Sequence, residues 1–169
     1  MGIFHITGPP KKVKRTQGSK KRIEIWTDGA CCRNQSETSR KAGYGAYFGD
    51  HDARNVCGAL EGPRQTNNRA EMTAVIKALE KVNEVEEHAH VYTDSKYTAE
   101  PYTSGRINEM REHNFEGIVN FDLWRKLDKL VRSLSVTWTV IKGHSGIEGN
   151  EKADGLAKQG VAKHKRPPR

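Results

Sequence analysis

The sequence contains no long apolar run and only three cysteines. No stretch approaches the roughly 18 consecutive apolar residues that a membrane helix needs, and residues 1–15 lack the apolar segment of a secretory signal. Cys31, Cys32 and Cys57 are odd in number and show no C-x-x-C spacing, which predicts reduced thiols rather than a disulfide framework or a zinc site. These absences favour an intracellular protein with no membrane partner.

The positive charge is concentrated at the two ends of the chain. The 169 residues include 29 Lys and Arg against 21 Asp and Glu, a formal net charge of +8. Eleven of the basic residues, and none of the acids, lie in residues 1–22 and 163–169, which leaves the middle with a net charge of −3. We therefore expect a disordered basic arm over residues 1–22, one folded domain over residues 23–160 and a basic tail over residues 161–169.

Five strands are predicted from the apolar patterns. They cover residues 22–27, 43–48, 53–60, 90–93 and 136–141. A hairpin turn at residues 49–52 joins the second strand to the third. The strands and helices follow the order βββαβαβα, which predicts an α/β fold. We expect a mixed five-stranded sheet whose first three strands are antiparallel, with helices packed on it.

Helical spacing of apolar residues predicts the connecting helices. The longest covers residues 69–85 and can be capped by Asn67 or Asn68. Its apolar face consists of Met72, Val75, Ile76, Leu79 and Val82. A short helix follows from Ser95, another begins at a cap formed by Asp122, and a terminal helix covers residues 150–158. Residues 103–121 give no clear pattern.

Four acidic residues stand at the ends of predicted elements or inside helices. Asp28 ends the first strand and Asp94 the fourth, so both carboxylates emerge at one sheet edge if those strands are neighbours. Glu71 lies in the first turn of the long helix, and Asp154 lies in the terminal helix. Taken singly, an Asp before Gly is most often a turn residue, and a first-turn Glu most often complements the helix dipole.

A cluster of these carboxylates would need a cation. Carboxylates a few ångströms apart repel one another and raise their pKa values, and oxygen ligands of this kind select Mg²⁺ or Mn²⁺. Two such ions about 3.5–4 Å apart can hold a scissile phosphate, one activating the attacking water and the other stabilising the leaving oxygen. Spacing alone leaves the metal-site interpretation and the structural one both open.

The four acids belong to a set of five sequence blocks. They are Trp26-Thr27-Asp28-Gly29, Gly43-Tyr44-Gly45, Arg64-Gln65-Thr66-Asn67-Asn68-Arg69-Ala70-Glu71, Tyr92-Thr93-Asp94-Ser95, and Gly143-His144-Ser145-Gly146 followed by Gly149-Asn150-Glu151-Lys152-Ala153-Asp154. In their order and spacing, across about residues 23–160, they resemble the type 1 ribonuclease H family, specifically its cellular enzymes.

The resemblance implies a ribonuclease H-like fold and an endonuclease. Members of the family cleave the RNA strand of RNA–DNA hybrids with little sequence preference, leaving 5′-phosphate and 3′-hydroxyl ends. The family's metal ligands, which hold two Mg²⁺ ions with Mn²⁺ able to substitute, correspond to Asp28, Glu71, Asp94 and Asp154. Its flexible-loop histidine corresponds to His144, which would assist proton movement or the release of product and metal. We expect a monomer.

The resemblance also implies two sets of substrate contacts. The residues expected to face the RNA strand, where the 2′-hydroxyl separates RNA from DNA, are Cys31, Asn34, Asn67 and Asn68. The pocket expected to hold a phosphate of the DNA strand consists of Arg64, Thr66 and Asn120. Tyr97 is expected to contact the DNA backbone, with core packing as the alternative. For Asn34 the alternative is a turn residue.

Residues 103–121 depart from the family pattern. Cellular relatives often carry a basic, tryptophan-bearing segment here, whereas this chain has no Trp and mixes Arg106 and Arg111 with three glutamates. Those acids would repel phosphates, so we expect little substrate grip from this segment.

The basic ends of the chain add two expectations. Their eleven positive charges would raise non-specific, salt-sensitive affinity for nucleic acid. Residues 9–15 also resemble a short nuclear-import signal, with a merely solubilising arm as the alternative. A location in the nucleus or in the cytoplasm fits both interpretations.

Three other functions are alternatives that the sequence matches less well. A binding module of the same fold would bind hybrids without cleaving them, although all four acids and His144 are present. A nuclease domain of a retroelement polyprotein would have the same activity. A DNA transposase-like member of the superfamily would lack the block over residues 64–71.

Overall fold

The elements follow the predicted order in a computed structural model that describes residues 19–32 and 39–164. The strands are β1 (Lys21–Cys31), β2 (Ala42–Tyr47), β3 (Val56–Ala59), β4 (Glu87–Thr93) and β5 (Val136–Val140). The helices are α1 (Asn67–Leu79), α2 (Lys96–Ser104), α3 (Ile107–Glu112), α4 (Phe121–Ser133) and α5 (Glu148–Ala162). The segment without a clear pattern contains the short helix α3, so three helices connect β4 to β5.

The strands form one mixed sheet in the order β3-β2-β1-β4-β5. β2 pairs antiparallel with both β1 and β3, whereas β4 runs parallel to both β1 and β5. This confirms the predicted mixed sheet with three leading antiparallel strands. Thr27 of β1 pairs with Thr93 of β4, so the residues that follow them emerge together at one edge.

The helices cover both faces of the sheet. A Cβ added to Gly29 would lie 2.5 Å from the backbone nitrogen of Glu71 in α1, and one added to Gly45 would lie 2.5 Å from that of Ala157 in α5. Gly29 is opposite Tyr44, the residue before Gly45, and successive residues point to opposite faces. α1 and α5 therefore lie on opposite faces of the sheet.

The hydrophobic core lies between the sheet and the layer of α1 and α4. Its most completely buried large side chains include Ile25, Met72, Val75, Ile76, Leu79, Val91, Trp124 and Leu127. Four of the five residues on the predicted apolar face of α1 are among them, and Val82 packs against the same core. Burying each such side chain contributes about 1.5–3 kcal/mol relative to leaving it exposed.

Two predicted boundaries were wrong because asparagine side chains close turns there. α1 ends at Leu79 rather than near residue 85, since the side chain of Asn83 accepts from the backbone N–H groups of Val85 and Glu86. β3 begins only at Val56, because Asn55 bonds the backbone on the far side of the turn and extends the hairpin loop. Such Asx turns compete with regular structure.

The ends of the folded part extend slightly past the predicted limits. β1 begins at Lys21 and α5 runs to Ala162. Most of the predicted basic arm and tail, residues 1–18 and 165–169, lies outside the described residues. In the described part of the chain, none of the helices has the length and apolarity that crossing a lipid bilayer requires.

Candidate active site

Three carboxylates converge at the edge of the sheet where β1 and β4 end. One oxygen from each of Asp28, Glu71 and Asp94 lies within 4.8 Å of the other two. Asp28 lies near the end of β1, Asp94 directly follows β4, and Glu71 comes from the first turns of α1. The parallel pairing of β1 with β4 accounts for the first two, as the strand argument expected.

The third carboxylate reaches the edge because Gly29 has no side chain. An added Cβ there would lie 2.5 Å from the backbone nitrogen of Glu71 and 2.7 Å from the carbonyl carbon of Ala70. The missing side chain thus allows α1 to approach β1 closely. Asp28 and Gly29 lie inside β1 rather than in a turn, so the turn interpretation of this pair was wrong.

The cluster is electrostatically costly without a counter-ion. Burial, together with the negative charge of Asp94, raises the pKa of Asp28 to about 7. Burial, then the charges of Asp28 and Asp94, raises the pKa of Glu71 well above its ordinary value. Burial also raises the pKa of Asp94, partly offset by the nearby imidazole of His144. Mutual repulsion of this kind favours binding of a cation.

Asp154 faces the same cleft from α5 but stands outside the group of three. The cleft has a volume of about 590 Å³ and is also lined by His144 and Lys158. Lys158 Nζ lies 2.5 Å from Asp154 Oδ2, one helical turn along α5. Lys158 was not predicted as a site residue, although its spacing of four residues from Asp154 on one helix could have indicated it.

His144 sits on a loop at the mouth of the cleft. Its φ of 53° lies in the left-handed region, as does that of Gly146 at 80°. A Cβ added to neighbouring Gly143 would lie 2.6 Å from Asp94 Oδ2, so the loop backbone passes directly over a carboxylate of the cluster. The glycines that bracket His144 therefore permit both the turn and this close approach.

The donor set of the cluster fits a divalent cation. Glu71 Oε2 is shielded from water and accepts no hydrogen bond from the described residues. A buried oxygen without a donor costs about 1–3 kcal/mol, and a cation would satisfy it. Because the converging ligands are all carboxylate oxygens, they suit a hard ion rather than a thiolate-binding metal.

The residues expected to face RNA gather along the cleft where the structure describes them. Cys31, Asn67 and Asn68 line it. Asn67 Nδ2 lies 3.5 Å from Glu71 Oε1, and Cys31 Sγ lies 3.5 Å from the carbonyl oxygen of Gln65. The fourth expected residue, Asn34, lies outside the described residues.

The residues expected to hold a DNA phosphate meet between the start of α1 and the start of α4. Thr66 is the N-cap of α1, where Asn67 or Asn68 was predicted, and its hydroxyl accepts from the backbone N–H of Arg69 at 3.3 Å. The Arg64 side chain is 56% exposed, and its Nη2 lies 3.5 Å from Asp122 Oδ1. The exposed guanidinium of Arg64 is therefore free to turn toward a ligand.

The predicted cap at Asp122 was wrong. Asn120 occupies the N-cap position of α4 with a φ of 62°, in the left-handed region, and its side chain makes no capping hydrogen bond. Asp122 instead binds Arg69 of α1. Arg69 Nη1 also donates to Asn120 Oδ1 at 3.1 Å, and Asn120 Nδ2 donates to the hydroxyl of Tyr97 at 3.2 Å. Asn120 is buried, with both ends of its amide engaged inside the protein.

Tyr97 is packed against the core and also reaches the cleft. Its ring packs against Trp124, with the ring centres 5.6 Å apart, while the residue also lines the catalytic cleft. Its hydroxyl donates to the carbonyl oxygen of Val119 at 3.1 Å. The phenol is thus held at the cleft wall by core packing.

The two arginines of residues 103–121 are tied to carboxylates. Arg106 binds Glu100 at 2.9 Å, and Arg111 binds Asp128 at 2.7 Å. The Arg111 pair is partly buried, whereas the Arg106 pair is exposed and therefore weak. The contribution of this segment to substrate binding stays a prediction.

Comparison with known proteins identifies the family of the chain. The RNase H family model matches residues 20–162. The chain is 39% identical over 146 residues to a ribonuclease H of Methylobacillus flagellatus, which covers 82% of this chain and 91% of the relative. It is 38% identical over 147 residues to a ribonuclease H of Ehrlichia ruminantium. That match covers 84% of this chain and 96% of the relative.

A solved structure shows the same fold. It is the crystal structure of LC9-RNase H1, a type 1 RNase H with the type 2 active-site motif, at a TM-score of 0.69 and 24% sequence identity. The match covers 85% of this chain and 73% of that one. Sheet, carboxylate cluster, family model and relatives agree, and the chain belongs to the ribonuclease H family of hydrolases that cleave the RNA strand of RNA–DNA hybrids.

Proposed function

We propose that the chain hydrolyses the RNA strand of RNA–DNA hybrids at the cleft lined by Asp28, Glu71, Asp94 and Asp154. The observation that carries this assignment is the convergence of three carboxylates within 4.8 Å on a ribonuclease H sheet. The products would carry 5′-phosphate and 3′-hydroxyl ends, and the sequence preference would be low, as in the family that the sequence resembles.

The four carboxylates would hold two Mg²⁺ ions, with Mn²⁺ as a substitute. When bound, such a pair activates water and stabilises the leaving oxygen of a phosphodiester. The protein's part is to hold the carboxylates in place. Because burial raises the pKa values of Asp28 and Glu71, loss of their protons is coupled to binding of the metal.

His144 would move protons at the mouth of the cleft. It lines the cleft with Asp94, and its charge acts on that carboxylate. An imidazole changes its charge near neutral pH, so it can take a proton from water or deliver one to a leaving oxygen. The glycines on either side give its loop the freedom that product release requires.

Recognition of the hybrid would divide between two strands. Cys31, Asn67 and Asn68 would face the 2′-hydroxyls of the RNA strand, with Asn34 as a fourth contact predicted from the sequence alone. Arg64 and Thr66 would bind a phosphate of the DNA strand, supported by Asn120 and Tyr97. The hydroxyl of Thr66 stands at the N-terminus of α1, where the helix dipole and unpaired N–H groups favour an anion.

One set of labelled oligonucleotides tests this function. The protein is incubated with an RNA–DNA hybrid, double-stranded RNA, double-stranded DNA and single-stranded RNA, each with Mg²⁺ or with EDTA. We expect cleavage of the RNA strand of the hybrid alone, and only with metal. Asp94→Asn is expected to abolish cleavage while hybrid binding persists.

Two results would contradict the proposal. Cleavage of the hybrid that persists in Asp94→Asn would move the chemistry away from the carboxylate cluster. Tight binding of the hybrid by the wild-type protein without any cleavage would identify a binding module of the same fold.

Two further properties follow as proposals. The chain would act as a monomer, since the described carboxylates, His144 and the phosphate-binding residues all come from one chain; sedimentation at working concentration tests this. Residues 9–15 would direct nuclear import. Fusion of residues 1–18 to a fluorescent reporter, with Lys11, Lys12 and Lys14 replaced by Gln as the control, tests it.

A further inference from the structure

A second cleft opens at the same sheet edge, next to the start of β2. It has a volume of about 650 Å³ and lies between the segment before β2, the segment after β3 and the residues that follow α5. Its walls include the side chains of Arg40, Lys41 and His164. No carboxylate side chain lines it in the described ranges. We call it the β2-edge cleft.

Arg40 and Lys41 of the β2-edge cleft form no ion pair with any other described residue. Arg40 Nε is shielded from water and has no acceptor within the described part of the chain. A shielded guanidinium nitrogen without an acceptor is destabilising, and an anion in the cleft would satisfy it.

Hydrogen bonds to the backbone fix the walls of this cleft. Gln65 Oε1 accepts from the N–H of Ala42 at 2.8 Å, and Gln65 Nε2 donates to the carbonyl oxygens of Leu60 and Gly62 at 2.9 Å and 2.7 Å. The carbonyl oxygen of Ala42 lies 2.7 Å from His164 Nε2, which must therefore donate. One amide side chain thus joins β2 to the segment after β3, and the end of α5 is held against both.

The position of the cleft relates it to the catalytic site. Ala42 is opposite Cys31, and Asp28 precedes Cys31 by three residues, about 10 Å along the strand. Backbone phosphates of one strand recur about every 3.4 Å along a duplex axis. A strand held at the carboxylate cluster would therefore pass the β2-edge cleft about three or four nucleotides away.

Neighbouring residues indicate which strand that is. Ala42, whose backbone bonds both walls of the cleft, is opposite Cys31, which is assigned to the RNA strand. Cys31 Sγ also lies 3.5 Å from the carbonyl oxygen of Gln65 in the cleft wall. Arg64, assigned to the DNA phosphate, belongs to the same segment as Gln65, but its side chain contacts Asp122 of α4. We therefore assign the cleft to the RNA strand.

We propose that Arg40 and Lys41, in the β2-edge cleft, bind a backbone phosphate of the RNA strand about three or four nucleotides from the scissile bond. This rests on the proposed function and deepens it. The hybrid would then be held at one phosphate on each strand. Such an arrangement fixes the RNA strand across the carboxylates without reading its sequence.

Equilibrium binding tests this contact in the inactive Asp94→Asn protein, so that cleavage does not interfere. Arg40→Gln is expected to weaken binding of an RNA–DNA hybrid about five- to tenfold at low salt. It should also lower the slope of log Kd against log salt by about 1, the value for one lost phosphate contact. Lys41→Gln is expected to act in the same direction, and Arg40→Lys to retain the slope.

A matched charge removal controls for net charge. Lys81 is exposed at the far end of α1 and makes no ion pair within the described residues, so Lys81→Gln removes one charge remote from the cleft. Equal losses in Arg40→Gln and Lys81→Gln would overturn the proposal. Unfolding midpoints of all variants show whether a loss of binding reflects loss of structure, and Lys41→Gln, at a half-buried surface position, provides an independent measure.

Neutral linkages identify the strand. A single methylphosphonate, with a 2′-O-methyl sugar on its 5′ side, is moved stepwise along the RNA strand. In a second series a single methylphosphonate is moved along the DNA strand. We expect one position, about three or four nucleotides from the cut, at which the neutral linkage weakens binding by the protein that retains Arg40. At that position the same linkage should not weaken binding by Arg40→Gln any further. Such a position found only in the DNA strand would overturn the proposal. If the wild-type protein cleaves no hybrid, the proposed function itself fails, whatever Arg40→Gln does.

Discussion

Arg69 and Asp122 form a two-pronged ion pair that joins α1 to α4. Arg69 Nη1 lies 2.9 Å from Asp122 Oδ1, and Nη2 lies 2.8 Å from Oδ2. The Arg69 side chain is only 11% exposed, whereas that of Asp122 is 41% exposed. Because Arg69 also holds Asn120 and Asp122 faces Arg64, the pair sets the spacing of the proposed DNA-phosphate site.

Replacing the acid of this pair should reduce stability above pH 4. The Arg69 guanidinium lowers the pKa of Asp122 to about 2. The stabilisation from the ion pair is therefore fully present above the ordinary pKa of an aspartate, about 4, and is lost as the pH falls from about 4 to about 2. We expect Asp122→Asn to lower the free energy of unfolding by about 1–2 kcal/mol at pH 7. Urea unfolding across this pH range measures the difference.

An exposed ion pair provides the control. Asp50 binds Lys152 at 3.2 Å with its side chain 61% exposed, so Asp50→Asn should destabilise the protein less than Asp122→Asn. Equal losses for the two variants would show that the burial of Arg69 does not matter.

The Arg69–Asp122 pair also shows which parts of the site can be predicted from sequence. Asp28 and Asp94 could be placed together because parallel strands bring their ends to one edge. Asp122 was assigned to a cap because its partner depends on how α1 packs beside α4, which no local pattern encodes. The role of Gly29 was missed for the same reason, since a close approach between a strand and a distant helix is a tertiary feature.

The carboxylate cluster should limit stability when metal is absent. Asp28 is buried beside Glu71 and Asp94, so at pH 8 in EDTA their repulsion opposes folding. We expect Asp28→Asn to raise the unfolding midpoint by a few degrees in EDTA while abolishing cleavage. Thermal unfolding measures the first effect and the hybrid assay the second.

Adding Mg²⁺ should reverse that order. A cation that binds only the folded protein stabilises it by mass action, so the wild-type midpoint should rise with Mg²⁺ while that of Asp28→Asn changes little. A wild-type midpoint that does not respond to Mg²⁺ or Mn²⁺ would argue against a metal at these carboxylates.

The loop that carries His144 should not tolerate a side chain at Gly143. The added Cβ would lie 2.6 Å from Asp94 Oδ2, so Gly143→Ala must move either the loop or the carboxylate. We expect the Mg²⁺ concentration needed for half-maximal cleavage to rise at least tenfold. Metal titrations of the cleavage rate measure this shift.

A second glycine-to-alanine variant controls for general effects of adding a side chain. Nothing lies within 4 Å of a Cβ added to Gly155 in α5, and Ala is the better helix former by about 0.5–1 kcal/mol. Gly155→Ala should therefore raise stability without changing the Mg²⁺ requirement. Gly143→Ala with an unchanged Mg²⁺ requirement would show that the loop yields without disturbing Asp94.

The hydroxyl of Thr66 should both stabilise the fold and contribute to substrate binding. As the N-cap of α1, it accepts from the backbone N–H of Arg69, and loss of such a cap costs about 1 kcal/mol. We expect Thr66→Ala to lose that stability and to weaken hybrid binding in the Asp94→Asn background, whereas Thr66→Ser should retain both. Loss of stability in Thr66→Ala with unchanged binding would confine this hydroxyl to its structural role, because a group that contacts a phosphate must alter affinity when it is removed.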